Sequence, residues 1–383
     1  MKTKGFKAYF DYAATTPLDP RVLAAMEPFL KERFGNPSSI HTWGREARLA
    51  IDRAREQVAR LIEANSENII FTSGGTEADN LAIQGIAWQR KKGHIITSSI
   101  EHHAVLRTCQ FLERHGFEVT YLPVDKRGIV NPDKLLQEIR KDTFLVSVMY
   151  VNNEIGSIQP IKEIAKICKE KGIIFHTDAV QAFGKIPISV KRLGIDLLSA
   201  SSHKIYGPKG VGCLYIADNV KIKPMFYGGH QEREIRAGTE NVAGIVGLGE
   251  ACKLAKAEME KDEKKALLYK NNILKNCLQI EDCHLNGDKN GISCIANFRF
   301  RGIEGESLVL KLDIEGIAAS TGSACAEVEL KPSHVLMALG LSPIEAHGSL
   351  RLSWGRFTKP DEVKHLLDVL PKKVEELRRM SPV

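Results

Sequence analysis

A lysine in a short polar segment is the first residue whose setting suggests chemistry. Lys204 follows Ser201-Ser202-His203 and precedes a turn that contains Gly207 and Pro208. The pattern therefore puts it on a loop rather than on a solvated helix face. A lysine held in this way can form a Schiff base with a carbonyl compound. Taken alone, the segment favours an ordinary surface lysine beside a turn.

A carboxylate closes an apolar run of the chain. Asp178 ends Phe175-His176-Thr177-Asp178 and precedes Ala179-Val180-Gln181. Burial of a carboxylate is costly unless a cation pairs with it. The protonated ring nitrogen of pyridoxal phosphate is such a cation, and an N-cap of the next helix is the alternative. Gln181 lies three residues further on and is spaced to reach the ring hydroxyl.

Two further segments have the composition of a cofactor pocket. Ser73-Gly74-Gly75-Thr76 stands between a strand-like and a helix-like run, where glycines and free N–H groups favour an anion, although a plain turn is the alternative. His102, in Ile100-Glu101-His102-His103, is suited to stacking on a planar ring, while a surface or core histidine is the simpler interpretation. No carboxylate or third histidine has metal-ligand spacing, so no firm metal site is expected.

A cysteine and an arginine near the C-terminus complete the set. Cys325 follows Ser320-Thr321-Gly322-Ser323-Ala324, and residues this small favour a mobile loop, although a buried cysteine beside a tight turn is the alternative. Arg351 lies between Leu350 and Leu352, and its guanidinium can bind a carboxylate through two hydrogen bonds.

Alternating strand-like and helix-like runs are expected to position these residues. The sequence predicts strands over 69–72, 94–98, 144–151 and 173–178, and helices over 76–91, 105–115 and 161–171. This alternation is typical of βαβ units in a largely parallel sheet. Ligands bind at the carboxyl ends of such strands, which is where the Ser73–Thr76, Asn152-Asn153 and Asp178 segments fall. A helix over 253–276, strands over 292–300 and 317–319, and a helix over 361–379 predict a smaller α+β unit.

Composition excludes several other classes of protein. The 383 residues are 43% hydrophobic and 26% charged, with a net charge of +7 and no long basic run. A globular chain is expected, with no nucleic-acid or membrane partner. The eight cysteines include no Cys-x-x-Cys pair, which excludes a zinc ribbon and suits a reducing cytosol. We expect a large domain over 16–255 and a small domain formed by 1–15 and 256–383.

Taken together, these segments resemble cysteine desulfurases of the NifS/IscS type, which belong to the class V aminotransferase group of fold type I pyridoxal-phosphate enzymes. The resemblance covers nearly the whole chain. It is carried by segments 10–16, 35–41, 72–77, 151–156, 176–179, 202–204 and 236–241 and by the Cys325 loop. It implies an α/β fold, with a mostly parallel seven-stranded sheet in the large domain and a smaller α+β domain.

The resemblance also implies a site for pyridoxal 5'-phosphate. Lys204 would form the Schiff base, Asp178 would pair with the ring nitrogen, and His102 would stack on the ring. The implied phosphate contacts are Gly75, Thr76, Ser201 and His203, and the implied contacts along the ring and its hydroxyl are Asn153 and Gln181. Thr239 would reach the phosphate of the other subunit, which implies a homodimer.

The implied reaction converts L-cysteine to L-alanine in the cytoplasm. Lys204 and His102 would move protons, Arg351 and Asn36 would hold the substrate carboxylate, and Cys325 would take the sulfur as a persulfide. The sulfur would pass to an acceptor protein, with an iron–sulfur scaffold as the first choice, and Cys325 would be a ligand of any iron–sulfur cluster that is transferred. A selenocysteine lyase or another fold type I aminotransferase is the alternative. Glu327 and Glu329 near the thiol, and His230 where relatives have glycine, depart from the family pattern.

Overall fold

The strand-like runs of the first half of the chain form one sheet. The computed structural model describes residues 7–322 and 332–380. Its strands are β1 Ala8–Tyr9, β2 Ile69–Thr72, β3 His94–Ser98, β4 Glu118–Leu122, β5 Thr143–Ser147, β6 Ile174–Asp178, β7 Leu197–Ser201, β8 Gly212–Ile216, β9 Cys283–Asn286, β10 Ile295–Phe300, β11 Ile317–Ala318 and β12 Ser349–Ser353. Its α-helices are α1 Pro20–Lys31, α2 Thr42–Leu61, α3 Gly75–Ala87, α4 His103–Glu113, α5 Pro132–Glu138, α6 Ile161–Lys171, α7 Val190–Leu193, α8 Val242–Cys277, α9 Gly305–Ile314, α10 His334–Ala338, α11 Pro343–His347 and α12 Pro360–Met380.

Seven strands make the large sheet, in the order β2-β8-β7-β6-β5-β3-β4. The pairs from β7 to β4 are parallel, whereas β8 runs antiparallel to both β7 and β2. The prediction of a mostly parallel seven-stranded sheet is therefore confirmed. Because the parallel strands share one direction, their carboxyl ends meet along one edge.

Helices cover both faces of this sheet. Successive residues of a strand point to opposite faces, so Ile69 and Phe71 join one core while Ile70 joins the other. The first core contains apolar residues of α2, α6 and α8, and the second contains those of α3 and α4. Burial on both faces explains why these strands read as continuous apolar runs.

A second, smaller core is built by the C-terminal part of the chain. The antiparallel strands β12-β10-β9 pack against α9, α12 and the end of α8, while β1 pairs in parallel with β11. Ala8 and Phe10 thereby join the small core. The expected division at residue 255 falls inside α8, which supplies Ala255 to the large core and Ala266 to the small one.

Several predicted bounds were wrong by a few residues. The strand predicted over 144–151 ends at Ser147, because the following segment turns into the loop at the sheet edge, where Met149 N donates to Glu101 Oε1 at 2.9 Å. The helix predicted over 76–91 begins at Gly75 and ends at Ala87, and the helix predicted over 105–115 is α4, which His102 caps. The strand predicted from 292 begins at Ile295. Within the described residues, no helix is both long and apolar enough to cross a bilayer.

Candidate active site

A pocket lies at the carboxyl edge of the large sheet. Ten of the predicted site residues line it: Gly75, Thr76, His102, Asn153, Asp178, Gln181, Ser201, His203, Lys204 and Arg351. They come from the ends of β6 and β7, the starts of α3 and α4, the loop after β5, and β12 of the small unit. Ala13, Ala14, Asp79, Met149, Val151 and Val180 complete the wall.

Lys204 is held by a tight turn after β7. A 3₁₀ turn spans Ser202–Lys204, and Lys204 Nζ donates to Ala13 O at 2.6 Å and to Ala14 O at 2.7 Å. Burial, together with the positive charges of Lys185 and Arg351, lowers the pKa of Lys204 from 10.5 to about 7. A large neutral fraction near pH 7 makes this amine a nucleophile and a base.

Asp178 ends β6 in the wall of the pocket and has a second carboxyl beside it. Asp178 Oδ1 accepts from Val180 N at 2.9 Å, and burial raises the pKa of Asp178 to about 6. Carboxylate oxygens of Asp178 and Asp79 and a ring nitrogen of His102 lie within 4.8 Å of one another. Burial and the charge of Asp178 raise the pKa of Asp79 well above its usual value. The raised pKa of Asp79 disfavours two negative charges side by side and favours ionisation of the pair at Asp178.

The sequence motifs did not single out Asp79. It lies on α3, one helical turn after Gly75, and is 1% exposed. Its Oδ1 is 3.6 Å from His176 Nε2. The sequence did contain a signal for Asp79. It stands four residues after Gly75, and residues with this spacing lie on the same face of a helix, here the face toward the sheet.

His102 caps α4 and presents a neutral ring. Its Nδ1 accepts from Ala104 N at 3.1 Å, so the ring proton of the neutral form is on Nε2. Burial, with a smaller effect of the Lys204 charge, lowers the pKa of His102 to about 4. A neutral imidazole can stack on a planar ring without opposing a cation beside it.

The start of α3 forms an anion cradle. A Cβ built on Gly75 would meet Val180 Cγ2 at 2.6 Å, so any larger residue here would force the Val180 side chain to shift. Thr76, the buried Ser201 and His203 stand around the free N–H groups of the helix, which favour a phosphate. His203 Nδ1 is 3.1 Å from Thr15 Oγ1, and burial lowers the pKa of His203 to about 4.

Arg351 reaches the pocket from the small unit. It is 1% exposed, its Nη2 donates to Asp11 Oδ1 at 2.7 Å, and its Nη1 donates to Asn153 O at 3.1 Å. Arg351 Nε is buried and has no hydrogen-bond partner in the described part of the chain. A buried guanidinium with spare donor capacity is suited to a carboxylate. Asp11, which the motif Phe10-Asp11-Tyr12 contained, was not predicted as a site residue.

Two of the predicted residues that the structure describes do not line this pocket. Asn36 and Thr239 are exposed, and Asn36 Oδ1 accepts from Ser38 N at 2.9 Å. Cys325 lies outside the described residues, as do Glu327 and Glu329. A single chain therefore brings together Arg351 and the other predicted residues that line the pocket, whereas Asn36 and Thr239 lie on its surface.

The residues of the pocket fit pyridoxal 5'-phosphate. The site combines an anion cradle at Gly75, a lysine whose pKa is about 7, and a buried acid at Asp178. Pyridoxal 5'-phosphate has a phosphate, an aldehyde and a pyridine nitrogen, and these three groups match the cradle, the lysine and the acid respectively.

Comparison with known proteins gives the family. Residues 8–366 match the family described as aminotransferase class-V. The chain is similar to "Cysteine desulfurase IscS" of Dictyoglomus turgidum, with 55% identity over 98% of this chain and 96% of that protein. It is 54% identical to the protein of the same name from Methanosarcina thermophila, over 100% of this chain and 96% of the relative.

Solved structures agree with this assignment. A structure titled "NIFS-LIKE PROTEIN" superposes with a TM-score of 0.92 and 38% identity, over 97% of this chain and all of that one. Another, titled "SspA in complex with cysteine", has a TM-score of 0.83 and 39% identity, over 92% of this chain and 100% of the other. On its sequence and its fold, this chain belongs to the class V aminotransferase family.

Proposed function

We propose that this chain is a pyridoxal-phosphate-dependent cysteine desulfurase that converts L-cysteine to L-alanine. One observation carries the proposal: a lysine with a pKa of about 7, a buried acid and a buried arginine face a single pocket. The similar proteins named cysteine desulfurase, and the neighbour titled as a complex with cysteine, support this substrate over the selenocysteine alternative.

Each part of the pocket has a role toward the cofactor. When bound, pyridoxal 5'-phosphate supplies an electron sink for the bonds at the substrate Cα. Asp178 holds the ring nitrogen in its protonated form, Lys204 holds the aldehyde carbon, and His102 stacks on the ring. The proposed phosphate contacts are Gly75, Thr76, Ser201 and His203, with Thr239 of a second subunit, and the proposed contacts along the ring and its hydroxyl are Asn153 and Gln181.

Two side chains move protons and two bind the substrate carboxylate. Lys204 Nζ takes and returns the proton at Cα, because a pKa near 7 suits both directions at neutral pH. His102, whose Nε2 carries the ring proton, also transfers a proton at the substrate. Arg351 binds the carboxylate of cysteine through two hydrogen bonds, and Asn36 adds a further contact.

Cys325 is the proposed acceptor of the sulfur atom. Its thiolate attacks the sulfur of the substrate and the C–S bond breaks. The electron pair of that bond stays with the substrate carbon, which takes up a proton, and the products are alanine and a Cys325 persulfide. The remaining cysteines support this choice, because six are buried and Cys294 is half-buried. Burial raises the thiol pKa of each of these seven, so none of them is a ready thiolate at neutral pH.

The test uses the full chain loaded with pyridoxal 5'-phosphate. We expect alanine to form from L-cysteine and mass spectrometry to locate one added sulfur atom on the peptide that contains Cys325. Cys325→Ser should still bind the cofactor but should form no persulfide. Cys109→Ser, at a buried thiol, is the matched control. A persulfide on another cysteine, or undiminished desulfurase activity in Cys325→Ser, would overturn the assignment.

The proposed assembly is a homodimer that hands sulfur to an acceptor protein in the cytoplasm. Large exposed side chains support a subunit interface: Ile40 is 91% exposed near Asn36, and Tyr227 is 83% exposed some residues before Thr239. The free cysteines suit a reducing compartment. Iron–sulfur cluster assembly is the proposed destination of the sulfur. Sedimentation of the loaded chain tests the dimer.

We also propose that the chain has two domains, a large one over 16–255 and a small one formed by 1–15 and 256–383.

A further inference from the structure

A second lysine stands behind the pocket and is joined to the first by hydrogen bonds. Lys185 Nζ donates to Gln181 Oε1 at 2.7 Å, and Gln181 Nε2 donates to Ala13 O at 2.8 Å. The same carbonyl accepts from Lys204 Nζ at 2.6 Å. A continuous path of hydrogen bonds therefore links Lys185 to Lys204 through Gln181 and one backbone oxygen.

Lys185 and the Ala13 carbonyl together set which end of the Gln181 amide faces the pocket. The oxygen and the NH2 group of an amide have nearly the same shape but opposite hydrogen-bonding roles. An ammonium group only donates, so the amide oxygen must face Lys185. The NH2 group is thereby directed to the Ala13 side, where Gln181 lines the pocket and is 3% exposed.

Lys185 is also a cation without an acidic partner. Within the described residues, no carboxylate forms an ion pair with Lys185 Nζ, and the Gln181 oxygen is its hydrogen-bond acceptor. Burial lowers the pKa of Lys185, with opposing effects from the Cys294 thiol and Arg351. An ammonium group that is partly removed from water and has only a neutral amide as its acceptor is costly. The charge of Lys185 acts on the pocket, because after burial it is the largest cause of the lowered pKa of Lys204.

We propose that Lys185 is a positioning residue of this site: it fixes the Gln181 amide with its NH2 group toward the pocket and supplies a positive charge behind Lys204. The part of this role that concerns the cofactor rests on the proposed function. An NH2 group directed in this way donates to an oxygen anion on a bound ring, and the charge of Lys185 stabilises that anion. The effect on Lys204 needs neither cofactor nor substrate.

Other charged groups around Lys204 define the background for a test. Arg351 acts in the same direction as Lys185, whereas Asp11 and Asp178 raise the pKa of Lys204. His102 and His203 have pKa values lowered to about 4, so both are neutral around pH 7. Lys185 can therefore be varied while these groups keep their charge.

The first experiment measures Lys204 itself. The full chain without cofactor is treated with a limiting amount of an acylating reagent at a series of pH values, and mass spectrometry reports the acylation rate of Lys204. Lys185→Met should raise the Lys204 midpoint, because loss of a nearby positive charge favours the protonated amine. Acylation at neutral pH should then fall about threefold to tenfold. Lys185→Arg should retain the wild-type midpoint, and Lys191→Met, at an exposed lysine, is the control.

An unchanged midpoint in Lys185→Met, or an equal shift in Lys185→Arg, would overturn the proposed charge effect. If Lys185→Met fails to fold, Lys185→Gln serves in its place, since it removes the charge but keeps a donor to Gln181. This measurement is independent of the reaction. A chain that forms no alanine from cysteine would refute the proposed function while leaving the Lys204 result intact.

The second experiment tests the route through Gln181. Binding of pyridoxal 5'-phosphate is measured by equilibrium dialysis for Lys185→Met, Gln181→Met and the double variant. If Lys185 acts by orienting the amide, the double variant should bind about as weakly as Gln181→Met alone. Additive losses would show that Lys185 does not act through Gln181. Wild-type affinity in Lys185→Met would likewise contradict the positioning role.

Discussion

Arg351 Nη2 donates to Asp11 Oδ1 at 2.7 Å, so the cation proposed to bind the substrate carboxylate already holds a carboxylate of its own chain. The two residues are 340 positions apart in sequence. β1 and β12 both belong to the small unit, and the chain continues from β1 directly into Asp11. Asp11 both orients the guanidinium and reduces its net attraction for a second anion.

Asp11→Asn separates these two effects. The side-chain oxygen of asparagine can still accept from Arg351, but the negative charge is removed. We expect KM for L-cysteine to fall about threefold to tenfold, because the resident charge no longer opposes the substrate carboxylate. Steady-state kinetics measure KM, with Asp133→Asn, an exposed site, as the control. A raised KM would mean that orientation by the full carboxylate matters more than its charge.

Lys204→Ala should abolish alanine formation. The variant loses both the amine that holds the aldehyde carbon and the base at Cα, so we expect a loss of about a thousandfold or more. Alanine release is measured by amino-acid analysis, and binding of pyridoxal 5'-phosphate is measured separately by absorbance. Lys166→Ala, at a lysine whose side chain is 76% exposed, controls for loss of a positive charge. Near-wild-type turnover in Lys204→Ala would exclude its proposed role.

Asp178→Asn should weaken retention of the cofactor. The neutral amide cannot pair with a protonated ring nitrogen, and loss of one partner of a buried pair costs about 3–5 kcal/mol. This corresponds to a retention constant reduced by about a hundredfold or more. Equilibrium dialysis against pyridoxal 5'-phosphate measures it, again with Asp133→Asn as the control. Retention equal to that of the wild type would show that another group serves the ring.

Glu101 should make the stability of the chain depend on pH. It is fully buried, its Oε1 accepts from Ser98 Oγ at 2.5 Å and from Met149 N at 2.9 Å, and Oε2 has no partner within the described residues. Burial raises the pKa of Glu101 from 4.5 to about 8. The folded state therefore holds a proton that the unfolded chain releases between these values. The contribution of Glu101 to stability is fully present below pH 4.5 and is lost as the pH rises through 8.

Glu101→Gln provides the comparison. Between the two pKa values the wild type should lose stability relative to the variant by up to about 1.4 kcal/mol per pH unit. Urea unfolding at a series of pH values measures the difference, and Glu56→Gln, at an exposed carboxyl, should show no such trend. A constant difference across this range would mean that Glu101 is ionised in the folded chain.

Residue types and their order determined much of the site. The apolar runs before Gly75, Asn153 and Asp178 predicted strands, and strands that share one direction bring their ends to one edge. Local spacing was sufficient here, because Asp178 is the last residue of β6 and Gly75 follows the end of β2 by three residues. His102 was likewise predictable, since it caps the helix after β3.

Contacts between distant segments were decided only by the tertiary structure. Asp11 meets Arg351 across 340 positions of the sequence, and Lys204 meets the Ala13 carbonyl across 191. Periodicity describes the face of one element and carries no information about which other element packs against it. The buried pairing of Asp79 with Asp178 has the same origin, because a helical position becomes part of a site only when the helix packs over the ends of the strands. Desolvation in that packed setting, not residue type, brings the pKa of Lys204 to about 7.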